Sequence, residues 1–160
     1  MEYLDLYDEN KNLTGEKILR SKDMIIEPGK YINIVIVFIE NSDGKFLIQK
    51  TSKEKGSVWA TTGGHVKAGT TCDEAIIEEI KEELGIDVNI SEIKHIETNK
   101  LNRVYQDVYY LKKDIDINEI ILQEEEVEYV KWLTKEEINE LIEKEEFRKS
   151  NIGAFKSLTE

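Results

Sequence analysis

Between Gly63 and Ile86 the chain reads Gly-Gly-His-Val-Lys-Ala-Gly-Thr-Thr-Cys-Asp-Glu-Ala-Ile-Ile-Glu-Glu-Ile-Lys-Glu-Glu-Leu-Gly-Ile, a glycine-rich loop leading into a short helix whose second half is loaded with carboxylates. Grouped hard oxygen donors beside a loop without bulk suit a divalent cation working on phosphate, and they favour Mg2+, Mn2+ or Ca2+ over zinc. With a helical turn of about 100° per residue and Glu79 at zero, Glu82 falls at about 300° and Glu83 at about 40°. Ile76, Ile80, Leu84 and Ile77 then fall at about 60°, 100°, 140° and 160°, so the acids flank the apolar stripe. Such a trio repels itself at the core boundary, a cost that a bound cation removes. A solvated acidic face is the plainer explanation of any Glu-rich helix, since acids also cluster at Glu124-Glu125-Glu126 and over residues 143–146. The bounding glycines argue for the ligand: Gly63-Gly64 allows close backbone approach, and Gly85 is placed to end the helix.

This segment resembles the Nudix box, the loop-helix-loop signature of hydrolases acting on nucleoside diphosphates linked to another moiety, written G-x5-E-x7-R-E-U-x-E-E-x-G-U with U aliphatic. Gly64, Glu79, Ile80, Glu82, Glu83, Gly85 and Ile86 match in register, whereas Thr70 replaces the first glutamate and Glu78 the arginine. The resemblance implies an α/β fold, an α/β/α sandwich with a mixed β-sheet, and cleavage of a phosphoanhydride with Mg2+ or Mn2+ as cofactor. It implies Glu79, Glu82 and Glu83 as catalytic metal ligands, with backbone groups of Gly63 and Gly64 shaping the loop that accepts metal or phosphate. In the family the arginine is thought to pair with the first glutamate, so the two departures remove a pair and strand no single charge. Glu78, at about 260° on the same wheel, either becomes a further metal ligand, finds a cation such as Lys81 or Lys67, or weakens the site. In the last case the chain is a catalytically weak or noncatalytic nucleotide binder.

Glu2 to Asp8, Gly15, Pro28-Gly29-Lys30-Tyr31 and the run Trp59 to Val66 resemble the Nudix subgroup similar to isopentenyl-diphosphate isomerase. The isomerase uses a cysteine just before the Gly-His step, which here is Gly63, and a histidine ligand is missing around Ile32. Isomerase chemistry is therefore not expected.

The elements that must position these residues come from the rest of the chain. Its 160 residues suit one domain over 1–160, with an N-terminal strand extension over about 1–30. A net charge of −12 disfavours a nucleic acid polymer or an anionic membrane as partner. It does not disfavour a small nucleotide or diphosphate, whose charge a divalent ion offsets. Cys72 is the only cysteine, which fits a reducing cytoplasm, and the apolar run from Ile34 to Ile39 is too short to span a bilayer.

Residues 2–8 alternate as a short strand, and Asn10 to Asn12 with Gly15 turn the chain into residues 17–20. The β-branched run Tyr31 to Glu40 reads as a central buried strand, joined as a hairpin to Lys45 to Lys50 through Asn41-Ser42-Asp43-Gly44. Strands follow near 92–98, 103–112 and 127–133. Thr134 and Glu137 then form a capping box for a helix running to about Arg148, with Ile138, Leu141, Ile142 and Phe147 facing the sheet.

For a general base the candidates are Glu125 and Glu126, against the reading that they form a solvated acidic turn. For substrate contacts they are Gly64, His65, Trp59, Tyr31 and Arg103, together with Tyr105, Tyr109 and Tyr110. Strand aromatics are more often packing residues. The same aromatics leave room for a homodimer.

Overall fold

The computed structural model describes residues 1–160. The β-branched run forms β3 (Ile32–Glu40), whose alternation sends Val35, Val37 and Ile39 into one apolar cluster and Ile36 and Phe38 into another. A strand buried on both faces needs a helical layer on each side, and the chain supplies them. α1 (Cys72–Leu84) covers the first face through Ile76, Ile80 and Leu84. α2 (Lys135–Glu143) and α3 (Lys149–Thr159) cover the second through Ile138, Ala154 and Phe155. The result is the expected α/β/α sandwich.

The sheet is mixed. β3 runs parallel to β8 (Val104–Lys112), which pairs antiparallel with β7 (Ile93–Leu101) at the edge. β4 (Phe46–Thr51) pairs antiparallel with β9 (Val127–Leu133). Ahead of the sheet, β1 (Tyr3–Tyr7) and β2 (Leu13–Leu19) form a separate antiparallel ribbon, anchored where Leu4 and Leu6 meet Ile32.

Two expectations need correction. The hairpin of residues 31–50 closes only at its root, where Glu40 lies opposite Phe46. Beyond that pair β3 and β4 splay, and residues 59–65 fill the wedge: β5 (Trp59–Ala60) pairs with β4, and β6 (Thr62–His65) pairs with β3 from Ile34 to Val37. Gly63 lets β6 lie close, because a Cβ there would strike the Val35 carbonyl and fall 2.8 Å from Ile36 Cγ2. The final helix also stops at Glu143 instead of Arg148. Glu145 takes φ 59°, and Phe147 leaves the helix to bridge Trp59, whose backbone bonds Glu146 and Arg148. α3 then begins, an element the sequence reading lacks.

Candidate active site

α1 is held in register at both ends. Thr71 and Glu74 make a reciprocal capping box, and Gly85 closes the helix at φ 71°. This clamps the carboxylates of its second half against β6. Glu79 lies flat on Gly64, where a Cβ would overlap its carboxylate, so the diglycine is a cradle for that side chain. Glu83 is only 5% exposed and accepts from Gln49 Nε2 at 2.8 Å, while Thr62 Oγ1 holds Gln49 from behind at 3.0 Å.

Burial and the adjacent Glu83 charge push the Glu79 carboxyl well above the ordinary range. Glu83 is raised chiefly by burial, with its hydrogen bonds to Gln49 and Glu79 pulling the other way. With Glu83 charged beside it, Glu79 favours its protonated form. Burial also raises Glu82, opposed by the Lys67 ammonium. His65, beside the diglycine, is lowered to about 4 by burial, so it is neutral at physiological pH.

The fate of Glu78 is resolved by geometry. Lys67, on the loop, sits 3.1 Å from Glu78 and 3.7 Å from Glu82, whereas Lys81 is drawn to Asp87 at 3.1 Å. Thr70 Oγ1 donates to the Lys67 carbonyl at 2.6 Å and tightens the turn that carries it. Loop and helix are therefore tied by a salt bridge with its cation on the loop and its anion on the helix.

Glu79, Glu82, Glu83, Glu126 and His65 line a wholly polar cavity of about 120 Å³. Through Gly63, Gly64 and Glu126 it adjoins a second cavity of about 270 Å³ whose far wall carries Lys55, Arg148 and Asn151. No three acidic or imidazole side chains form a preformed metal cage. The donor set nonetheless fits a hard divalent ion: it is all carboxylate, and the crowding and burial that raise Glu79 and Glu83 penalise charge that a cation would offset.

Other expected contacts lie elsewhere. Glu125 is exposed and outside both cavities, with its carbonyl accepting from Ser52 Oγ at 2.8 Å. Trp59 is core, edge-on to Tyr129 at 5.5 Å. Tyr31 packs on Tyr105 at 4.7 Å, away from the cleft. Arg103, in the β7–β8 turn at φ 57°, donates to the Ile26 carbonyl. Tyr105, Tyr109 and Tyr110 spend their hydroxyls on Asp8, Asp73 and Glu40. Apart from Glu125, whose carboxylate is exposed, each of these side chains has a partner within the protein, which is why none is free to line the cleft. Sequence reasoning missed Gln49, Arg20, Arg148 and Asn151. Arg148 and Asn151 were hidden with α3, but Gln49 was legible as the one amide in an otherwise apolar stretch, Phe46-Leu47-Ile48.

A mixed sheet between helices, with an acidic helix clamped on a glycine strand beside a polar cleft, defines an α/β/α class of protein. Residues 30–154 match the family model described as NUDIX domain. The chain is 32% identical over 151 residues to an uncharacterized Nudix hydrolase of Listeria monocytogenes, covering 92% of this chain and 88% of that protein. It is 29% identical over 122 residues to the nucleoside triphosphatase NudI of an Enterobacter species, covering 68% and 85%. The crystal structure of DR0079 from Deinococcus radiodurans matches with a TM-score of 0.80 and 25% identity, covering 94% of each chain. The chain belongs to the Nudix family. Isomerase chemistry finds no support in the geometry, since Gly63 sits where no side chain fits.

Proposed function

We propose that the protein is a pyrophosphohydrolase that cleaves a phosphoanhydride bond in a small nucleotide or nucleotide-linked diphosphate, with Mg2+ or Mn2+ held by Glu79, Glu82 and Glu83. The observation that carries this is the Glu79–Glu83 carboxylate pair, with Glu79 laid on the Gly64 cradle and Glu83 buried, opening on a wholly polar cavity. Once bound, a divalent ion neutralises phosphate oxygens and lowers the pKa of water. Holding it requires Glu79 to give up its proton and Glu82 to turn from Lys67.

The chain's own groups do the rest. Gly63 and Gly64 expose backbone to the phosphates, Gln49 fixes the Glu83 carboxylate, and the Lys67–Glu78 bridge keeps the loop against α1. Glu126, at the junction of the two cavities and 3.4 Å from Lys55, is the acid we assign to accept a proton from water. Glu125 drops out of that role because of its position. The chain has a single cysteine, and no helix is long and apolar enough to cross a membrane.

Hydrolysis of nucleoside triphosphates, dinucleoside polyphosphates and nucleotide sugars with Mg2+ or Mn2+, comparing wild type with Glu82→Gln, tests the proposal. Metal-dependent turnover reduced at least about 100-fold in the variant is expected. Equal background from both proteins would sink it.

A further inference from the structure

The chain has three arginines, and two are spent within the protein: Arg20 pairs with Glu2 at 3.0 Å, and Arg103 donates to the Ile26 carbonyl. Arg148 enters no ion pair and donates no side-chain hydrogen bond, although it is half-buried at the start of α3 and lines the larger cavity. Its nearest anions, Glu83 and Glu126, act on it through space, and each already has a closer partner, in Gln49 and Lys55. A guanidinium carries five donors in a planar fork that matches phosphate oxygens, and withdrawing it from water without a partner is costly. Those unspent donors call for an oxyanion.

The surrounding wall narrows the choice. No Phe, Tyr or Trp lines this cavity, whose only apolar lining comes from Ile34, Val35 and Ile36, so a base finds no large ring on which to stack. The other lining groups are the diglycine, hydroxyls, amides, the His65 imidazole, two further cations, Arg20 and Lys55, and the carboxylates of Glu83 and Glu126, which the cavity shares with the acid site. The cavity is also continuous with the carboxylate site. An extended anion seated there spans from the acids to Arg148.

Resting on the hydrolase reading above, we propose that Arg148 is a specificity-determining residue: it grips a phosphate beyond the scissile anhydride, so that the protein selects substrates by an additional phosphate and leaves the base unread. Substrates with a third phosphoryl group satisfy it. Diphosphates joined to a neutral sugar do not.

Binding of inorganic tripolyphosphate to the full chain with Mg2+ present, followed by calorimetry, tests the grip without requiring turnover. Arg148→Ala is expected to weaken binding about tenfold or more, Arg148→Lys less, and Lys135→Ala, outside both cavities, not at all. In parallel, the ratio of kcat/KM for a nucleoside triphosphate to that for a nucleotide sugar is expected to shrink about tenfold in Arg148→Ala, through KM and equally for purines and pyrimidines. Tripolyphosphate binding that is absent, or equal in wild type and Arg148→Ala, overturns the proposal, as does an equal loss on both substrates. Arg148-dependent binding with no turnover of any substrate would sink the hydrolase reading alone and leave the phosphate grip standing.

Discussion

Two carboxylate clusters meet α1, one at its first residue and one along its second half, and they are built on opposite terms. At the first, Asp107 on β8 is 2% exposed yet fully engaged: Thr98, His95 and Asn33 donate to it at 2.6, 2.8 and 2.8 Å, Lys11 pairs with it at 3.0 Å, and Cys72 Sγ lies at 3.2 Å. Burial alone would raise its pKa, but these donors overcome burial and hold it well below the usual range. At the second, Glu83 is buried and Glu79 half-buried, and Gln49 is the one donor, to Glu83, so burial drives both up and the Glu83 charge adds to the rise of Glu79. A carboxylate the protein has satisfied by itself is a structural element. One kept short of donors in a polar cavity is a candidate for binding a ligand.

The sharpest way to break this comparison is to neutralise each cluster in turn. Asp107→Asn strands the Lys11 ammonium and the His95 ring, and it is expected to cost about 3 kcal/mol, read as a lower midpoint in denaturant. Glu83→Gln removes a repelling charge, so the metal-free protein is expected to hold its stability or gain up to about 1 kcal/mol while losing activity. Equal destabilisation by both would show that the clusters do not differ.

The pH dependence should separate them by sign. Asp107 has its folded pKa depressed, so its stabilisation is present above the ordinary carboxylate range and is lost as pH falls below that range. Glu79 and Glu83 have theirs raised, so their contribution is full below the ordinary range and is lost as pH rises through neutrality. Thermal melts of the metal-free protein from acid to pH 9 should therefore fall at both ends. Glu83→Gln should flatten only the alkaline limb, and Asp107→Asn only the acid one.

The smallest effect concerns the loop that borders the acidic cluster. Lys67→Met cuts the bridge to Glu78 and Glu82, and because all three groups are partly exposed the stability cost should stay within about 1 kcal/mol. Activity should fall further than stability if the bridge positions the helix, and the exchange Lys67→Glu with Glu78→Lys should recover part of it. Turnover that tracks stability alone in these variants would reduce the bridge to a surface ion pair.

Much of this was legible in residues. The Val, Ile and Phe run of β3 announced a strand buried on both faces, and the box spacing placed Glu79, Glu82 and Glu83 in one sector flanking the apolar stripe, of which Glu79 lies on Gly64. Local patterns could not show where β4 leaves β3, because that depends on a distant segment, 59–65, wedging between them. α3 was hidden for a local reason: its N-cap residue, Arg148, makes no side-chain capping bond, and Gly153 dilutes the helical pattern. With α3 went the two residues that complete the cleft, Arg148 and Asn151. Asp107 was equally silent, since its five partners come from β3, β7, the β1–β2 turn and α1.

The central claim is that the Glu79–Glu83 pair holds a proton in place of a divalent cation. Calorimetric titration of the metal-free protein with Mn2+ near pH 7, repeated in buffers of different ionisation enthalpy, tests it directly. The account predicts saturable binding that releases about one proton per ion, is lost in Glu79→Gln and is unchanged in Asp107→Asn. Binding without proton release, or binding that survives Glu79→Gln, would contradict it.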